Sequence, residues 1–76
     1  MAVDHGAPEY VYKQLAALLR ARIESGEFPP RSRIPSLRQL EDEYEVAPMT
    51  VRRAIEVLVE EGAVVTMPGR GTFVAG

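Results

Sequence analysis

Proline and glycine decide what this chain can fold into, because they divide it into short segments and leave room for only brief helices and strands. Pro29 and Pro30 stand in the run Phe28-Pro29-Pro30-Arg31-Ser32, which cannot continue a helix and forces an extended turn. Before that break, Val11, Leu15, Leu18, Leu19 and Ile23 recur at i, i+4, i+7, i+8 and i+12. Such a recurrence is one apolar stripe of an amphipathic helix. Pro8 suits its first turn and Gly26 its end, so the spacing predicts a helix over about 9–25.

After the double proline, Arg33-Ile34 can form a very short strand, and Pro35-Ser36 opens a second helix over about 36–44. Ser36 can cap it, and Leu37, Leu40 and Tyr44 supply its apolar face. Glu45-Val46-Ala47 is a brief break, and Pro48 then suits the first position of a third helix over about 48–61, ended by Gly62. Its apolar face comprises Val51, Ala54, Ile55, Leu58 and Val59. Ala47 is a poor cap, and Glu60 and Glu61 oppose the negative end of the helix dipole. Residues 63–67 and 72–75 are β-prone and flank the turn Pro68-Gly69-Arg70-Gly71, which predicts a hairpin. The expected fold is mainly α with a small β-hairpin wing: a winged helix-turn-helix of three helices and a two- to three-stranded antiparallel sheet. It occupies residues 8–76 behind a disordered lead at 1–7.

Composition narrows the function. In 76 residues a single small core must serve, and with no cysteine neither disulfides nor the common zinc-finger ligand sets are available. A chain without cysteine suits the reducing cytoplasm. The one histidine, His5, lies in the lead and leaves no Ser/His/Asp or Cys/His arrangement. A carboxylate pair such as Glu41 and Glu45 has no substrate pocket in so small a core. No catalysis, cofactor or metal is therefore expected. No run approaches the ~20 apolar residues of a membrane span. The net charge of −2 argues against an indiscriminate nucleic-acid coat but leaves a local basic surface open.

Two short helices joined by a tight turn and followed by a hairpin form a unit whose second helix enters the major groove of DNA. With Val51, Ile55 and Leu58 inward, Met49, Arg52, Arg53 and Glu56 face outward and Thr50 lies at the flank. Arg52 or Arg53 can pair bidentately with a guanine edge while the other meets a phosphate; the plainer alternative pairs them with Glu56. Ser36 can contact DNA, and Arg38, next to it, can reach the backbone or a base edge, or else pair with Asp42. Glu41, Asp42, Glu43 and Glu45 read as a solvated face turned from DNA. Gly69 and Gly71 let the hairpin tip approach a narrow groove, and Arg70 suits a minor groove. Tyr10, Tyr12, Tyr44, Phe28 and Phe73 read as core or rim packing, with a phosphate contact as the alternative for Tyr12, and Met67 reads as packing. The expected partner is double-stranded DNA; a winged helix that docks a protein instead is the alternative.

The stretches Tyr12–Phe28, Arg33–Leu40 (RIPSLRQL), Met49–Gly62 (MTVRRAIEVLVEEG) and Gly69–Val74 (GRGTFV) together resemble the GntR family of bacterial regulators over about residues 8–75. The resemblance implies a domain that binds palindromic operators as a dimer, with DNA roles for Arg38, Thr50, Arg52 and Gly69, and also for Tyr12, Arg53 and Arg70. Here Ala47-Pro48 replace the Ser or Thr and the following polar or basic residue usual at the turn, so two of the family's DNA contacts are missing. Arg31 replaces a glycine common after the prolines, and Leu37 a Glu. The family's C-terminal domain, which binds a small effector and holds the dimer, is not expected within these residues.

Overall fold

The computed structural model describes residues 8–76, so the expected lead over 1–7, with His5, lies outside the described residues. Three helices, α1 (Pro8–Glu24), α2 (Leu37–Tyr44) and α3 (Pro48–Glu60), precede a hairpin of β1 (Val64–Met67) and β2 (Gly71–Val74). Each helix end falls within one residue of its expected place. The strands pair antiparallel, with Val64 opposite Val74 and Met67 opposite Gly71.

The linker between α1 and α2 supplies the rest of the sheet. Arg33 bridges to Phe73. The Ile34 N–H donates to Thr72 O at 2.9 Å, and the Val74 N–H donates to Ser32 O at 2.8 Å. The proline-broken segment thus ties the wing to the helices. Arg31, where the resembling family favours glycine, has φ 67° in the left-handed region.

Leu15, Ala16 and Leu19 of α1 meet Val51, Ala54, Ile55 and Leu58 of α3. Leu40, Phe28, Ile34, Val64 and Val74 complete the cluster. Leu15, Leu19, Leu40 and Leu58 are fully buried, each worth about 1.5–3 kcal/mol of transfer free energy. Ala16 belongs to this core although the expected stripe omits it, because α1 meets α3 closely enough there to bury a methyl group. Leu18 is only half-buried. Val59 and Met67, expected to pack, are 41% and 44% exposed. The apolar arc of α3 is wider than the surface its neighbours cover, and Met67 sits at the free end of the hairpin.

The helix ends follow local chemistry. The Gln39 N–H donates to Ser36 Oγ and the Ser36 N–H donates to Gln39 Oε1, a reciprocal cap at the start of α2. Ala47 gives α3 no side-chain cap. At the other end of α3, Glu61 accepts two hydrogen bonds from Arg20 of α1, at 2.8 and 2.6 Å. That partner offsets the conflict between its charge and the helix dipole.

Candidate nucleic-acid interface

Because Val51, Ala54, Ile55 and Leu58 turn inward, α3 raises its opposite side into solvent. Met49 is 65% exposed, Arg52, Arg53 and Glu56 are exposed, and Thr50 is half-buried at the flank. The sequence leaves Arg52 and Arg53 interchangeable, and the structure separates them. The Arg53 guanidinium lies over the ring of Tyr12 on α1, 4.4 Å from its centroid, a cation–π contact that fixes its direction. Among the described residues Arg52 has no such partner. Neither arginine forms the expected alternative pair with Glu56, nor Arg38 with Asp42: among the described residues every ion pair belongs to Arg20 or Arg22.

A second cluster forms where α2 begins. Arg33, Ser36 and Arg38 line one groove with Gly69 and Gly71 of the hairpin. Gly69 has φ 77° and Gly71 φ 124°, values that L side chains rarely adopt. Ser36, expected to cap and to contact DNA, already accepts the cap hydrogen bond. The structure thus brings Ser36, Arg38, Gly69 and Gly71 together, and separately joins Tyr12 to Arg53. Arg70 lines the groove on the other face of the hairpin, with Arg31, Val65, Met67 and Phe73. Met49, Thr50 and Arg52 stand on α3 alone.

The remaining arginines are neutralised. Arg20 pairs with Glu61 at 2.6 Å. The hydrogen bond from Arg20 holds the Glu61 carboxyl below the usual carboxylate range, against desolvation and with help from Arg20's charge. Arg22 pairs with Glu27 at 2.6 Å and with Glu43 at 2.9 Å, donates to Tyr44 Oη at 2.9 Å and lies over the Phe28 ring at 4.5 Å. Partial burial opposes its charge, but the hydrogen bonds to Glu27 and Tyr44 and the nearby Glu43 outweigh it and raise its pKa above the ordinary value. Glu43 of the acidic run is therefore engaged with α1 and not merely solvated.

Sequence reasoning missed Arg33, which joins the groove without having been a candidate. Its place beside the short strand was visible, but nothing in the pattern showed it crossing to Gly71. Among the described residues, no group of His, Asp or Glu is placed to hold a metal ion, and no helix is long and apolar enough to cross a membrane.

Against known proteins, residues 11–74 match the family described as bacterial regulatory proteins, gntR family. The chain is 36% identical over 75 residues to the HTH-type transcriptional repressor NagR of Bacillus subtilis, covering 99% of this chain and 31% of NagR. It therefore spans about a third of that relative's length. The DNA-binding domain of AraR in complex with operator ORE1 superposes with a TM-score of 0.83 at 34% identity, covering 84% of this chain and 78% of that one. YtrA from Sulfolobus acidocaldarius, a GntR-family transcription factor, superposes with a TM-score of 0.85 at 32% identity, covering 97% of this chain and 78% of that one.

Proposed function

The chain belongs to the gntR family of bacterial regulatory proteins, and on that premise we propose that it is the operator-reading part of a transcription regulator, acting in the cytoplasm by recognition and not by catalysis. α3 enters the major groove with Arg52 at a base edge, and the tip of the hairpin follows the adjacent minor groove. Arg53, braced by Tyr12, and Arg38 meet the phosphate backbone. Thr50 and Met49 lie at the leading end of α3, where side chains reach bases first. Gly69 and Gly71 let the wing's backbone approach, and Arg70 follows it into the groove.

The observation that carries this reading is the contrast in pairing. The chain holds 11 acidic residues against 9 basic ones. Even so, among the described residues Arg38 and Arg52 stay exposed without a carboxylate, in the two segments that form the helix-turn-helix. Unpaired cations on a protruding helix and beside a glycine-rich wing match a polyanion. A winged helix that docks a protein is the alternative, and the salt dependence of DNA binding separates the two.

The resemblance adds that two copies bind the halves of an inverted repeat. Selection of bound duplexes from a random pool tests both levels. Enrichment of an inverted repeat is the expected result, with half-site centres about one helical turn apart or a multiple of it. Affinity for that duplex falls steeply with salt, by a slope of about −0.9 in log K per neutralised phosphate. A pool without sequence preference, or a flat salt dependence, refutes the reading; a single half-site refutes the paired arrangement alone.

A further inference from the structure

We propose that Arg33 is a phosphate contact of the DNA complex, held ready by the glycine at the root of the wing. This rests on the DNA-binding reading above and adds to it a residue that neither the sequence pattern nor the family resemblance assigns.

The backbone of Arg33 is fixed. It bridges to Phe73, and the Ile34 N–H that follows donates to Thr72 O at 2.9 Å, so the residue behaves as part of a third strand beside β2. Its side chain crosses β2 toward the hairpin turn. A Cβ placed on Gly71 would lie 2.7 Å from Arg33 Nε and 3.3 Å from Cζ. The guanidinium is therefore laid against the bare Cα of Gly71, in space that any other residue would fill. Gly71 is required by its φ of 124°, and its lack of a side chain leaves the space that the Arg33 guanidinium takes.

Among the described residues nothing uses the charge placed there: Arg33 is exposed, and neither an ion pair nor a side-chain hydrogen bond involves it. It shares its groove with Arg38 and Gly69, on the side of the hairpin where the wing meets the start of α2. Two unpaired guanidiniums flanking one groove suit an anion between them and repel each other without one. Packing against the glycine limits the rotamers of a long side chain, so less entropy is lost when the anion arrives. The duplex backbone supplies phosphates beside the groove that the wing enters. Base edges are not invoked, so Arg33 contributes affinity without sequence preference.

The test compares Arg33→Gln and Arg33→Lys with the unmodified protein on its selected duplex and on unrelated DNA, over a range of salt, with thermal unfolding confirming that each variant is folded. Arg33→Gln is expected to weaken binding several-fold on both DNAs alike and to reduce the steepness of the salt slope by about 0.9. Arg33→Lys keeps the charge and restores most of the slope. An unchanged slope for Arg33→Gln overturns the proposal even if affinity falls, since the residue would then only support the wing. A loss confined to the selected duplex overturns it too, because it would mark a base contact. If the unmodified protein binds no DNA, the broader reading falls first and this one with it; a steep slope that Arg33→Gln leaves intact removes this one alone.

Discussion

The arginines of α1 and those of the helix-turn-helix and wing are the same residue treated in opposite ways. Arg20 and Arg22 are held by Glu61, Glu27 and Glu43, and Arg22 also by a tyrosine hydroxyl and an aromatic face. Arg33, Arg38, Arg52 and Arg70 are exposed and form no ion pair among the described residues. An exposed, unpaired guanidinium adds little to folding, and several near one another repel. On the proposed reading, the first set serves the fold and the second the DNA partner. A net charge of −2 hides this division, because it sums a neutralised region with an uncompensated one.

The sharpest way to break the division is to remove one arginine from each side and read both properties. Arg52→Ala is expected to cost about 1–3 kcal/mol of binding to the selected duplex, with relaxed preference at one base position. Arg38→Ala is expected to lose affinity more evenly across sequences. Neither should lower the unfolding temperature appreciably, as neither side chain has an ion-pair partner among the described residues to lose. Titrations on the selected duplex and on single-base variants give the first result, and thermal unfolding gives the second. A large loss of stability in Arg52→Ala, with binding intact, would reverse the assignment of the two sets.

The converse experiment is Arg22→Ala. It removes charge-assisted hydrogen bonds to Glu27 and Glu43, the donation to Tyr44 and the packing on Phe28. Surface pairs alone are worth under about 1 kcal/mol. The aromatic contact and partial burial raise the expected cost to about 1–2 kcal/mol. In a domain of this size that lowers the unfolding temperature by roughly 4–16 °C. DNA affinity, measured well below the transition, should not change. A variant that unfolds normally yet binds DNA poorly would move Arg22 to the other set.

This division was only partly legible in the sequence. The helices and the hairpin were, because Pro8, Pro48, Gly26, Gly62 and Pro68-Gly69 act locally and mark ends wherever the chain goes. The outward face of α3 was legible too, since it is the complement of an apolar period. The pairings were not. Arg20 reaches Glu61 across 41 residues, and Arg22 reaches Glu43 across 21. Those meetings depend on how α1 lies across its neighbours, which no periodicity encodes. The near-sequence alternatives, Arg38 with Asp42 and Arg52 or Arg53 with Glu56, were visible and are absent. Spacing by four made each pair possible but could not force it in water. Arg33 escaped notice for the same reason as Arg22, because its neighbour Gly71 comes from a distant turn.

The smallest expected effect concerns the pair that joins α1 to the end of α3. Arg20 holds the Glu61 carboxyl below its ordinary range in the folded protein. A carboxyl whose pKa is depressed by folding stabilises the fold fully above its unfolded value. That contribution is lost as pH falls through the lower, folded value. Glu61→Gln removes this titration and leaves an amide able to accept from Arg20. At neutral pH the unmodified protein should therefore be slightly the more stable, and the difference should shrink once pH drops below the usual carboxylate range. The gap is small because the pair is exposed, and because the replaced charge sits at the unfavourable end of α3. Unfolding temperatures of the two proteins across the acid range supply the measurement. A difference that stays constant with pH would show that Arg20 gains nothing from the carboxylate's charge, and the neutralised set would then rest on Arg22 alone.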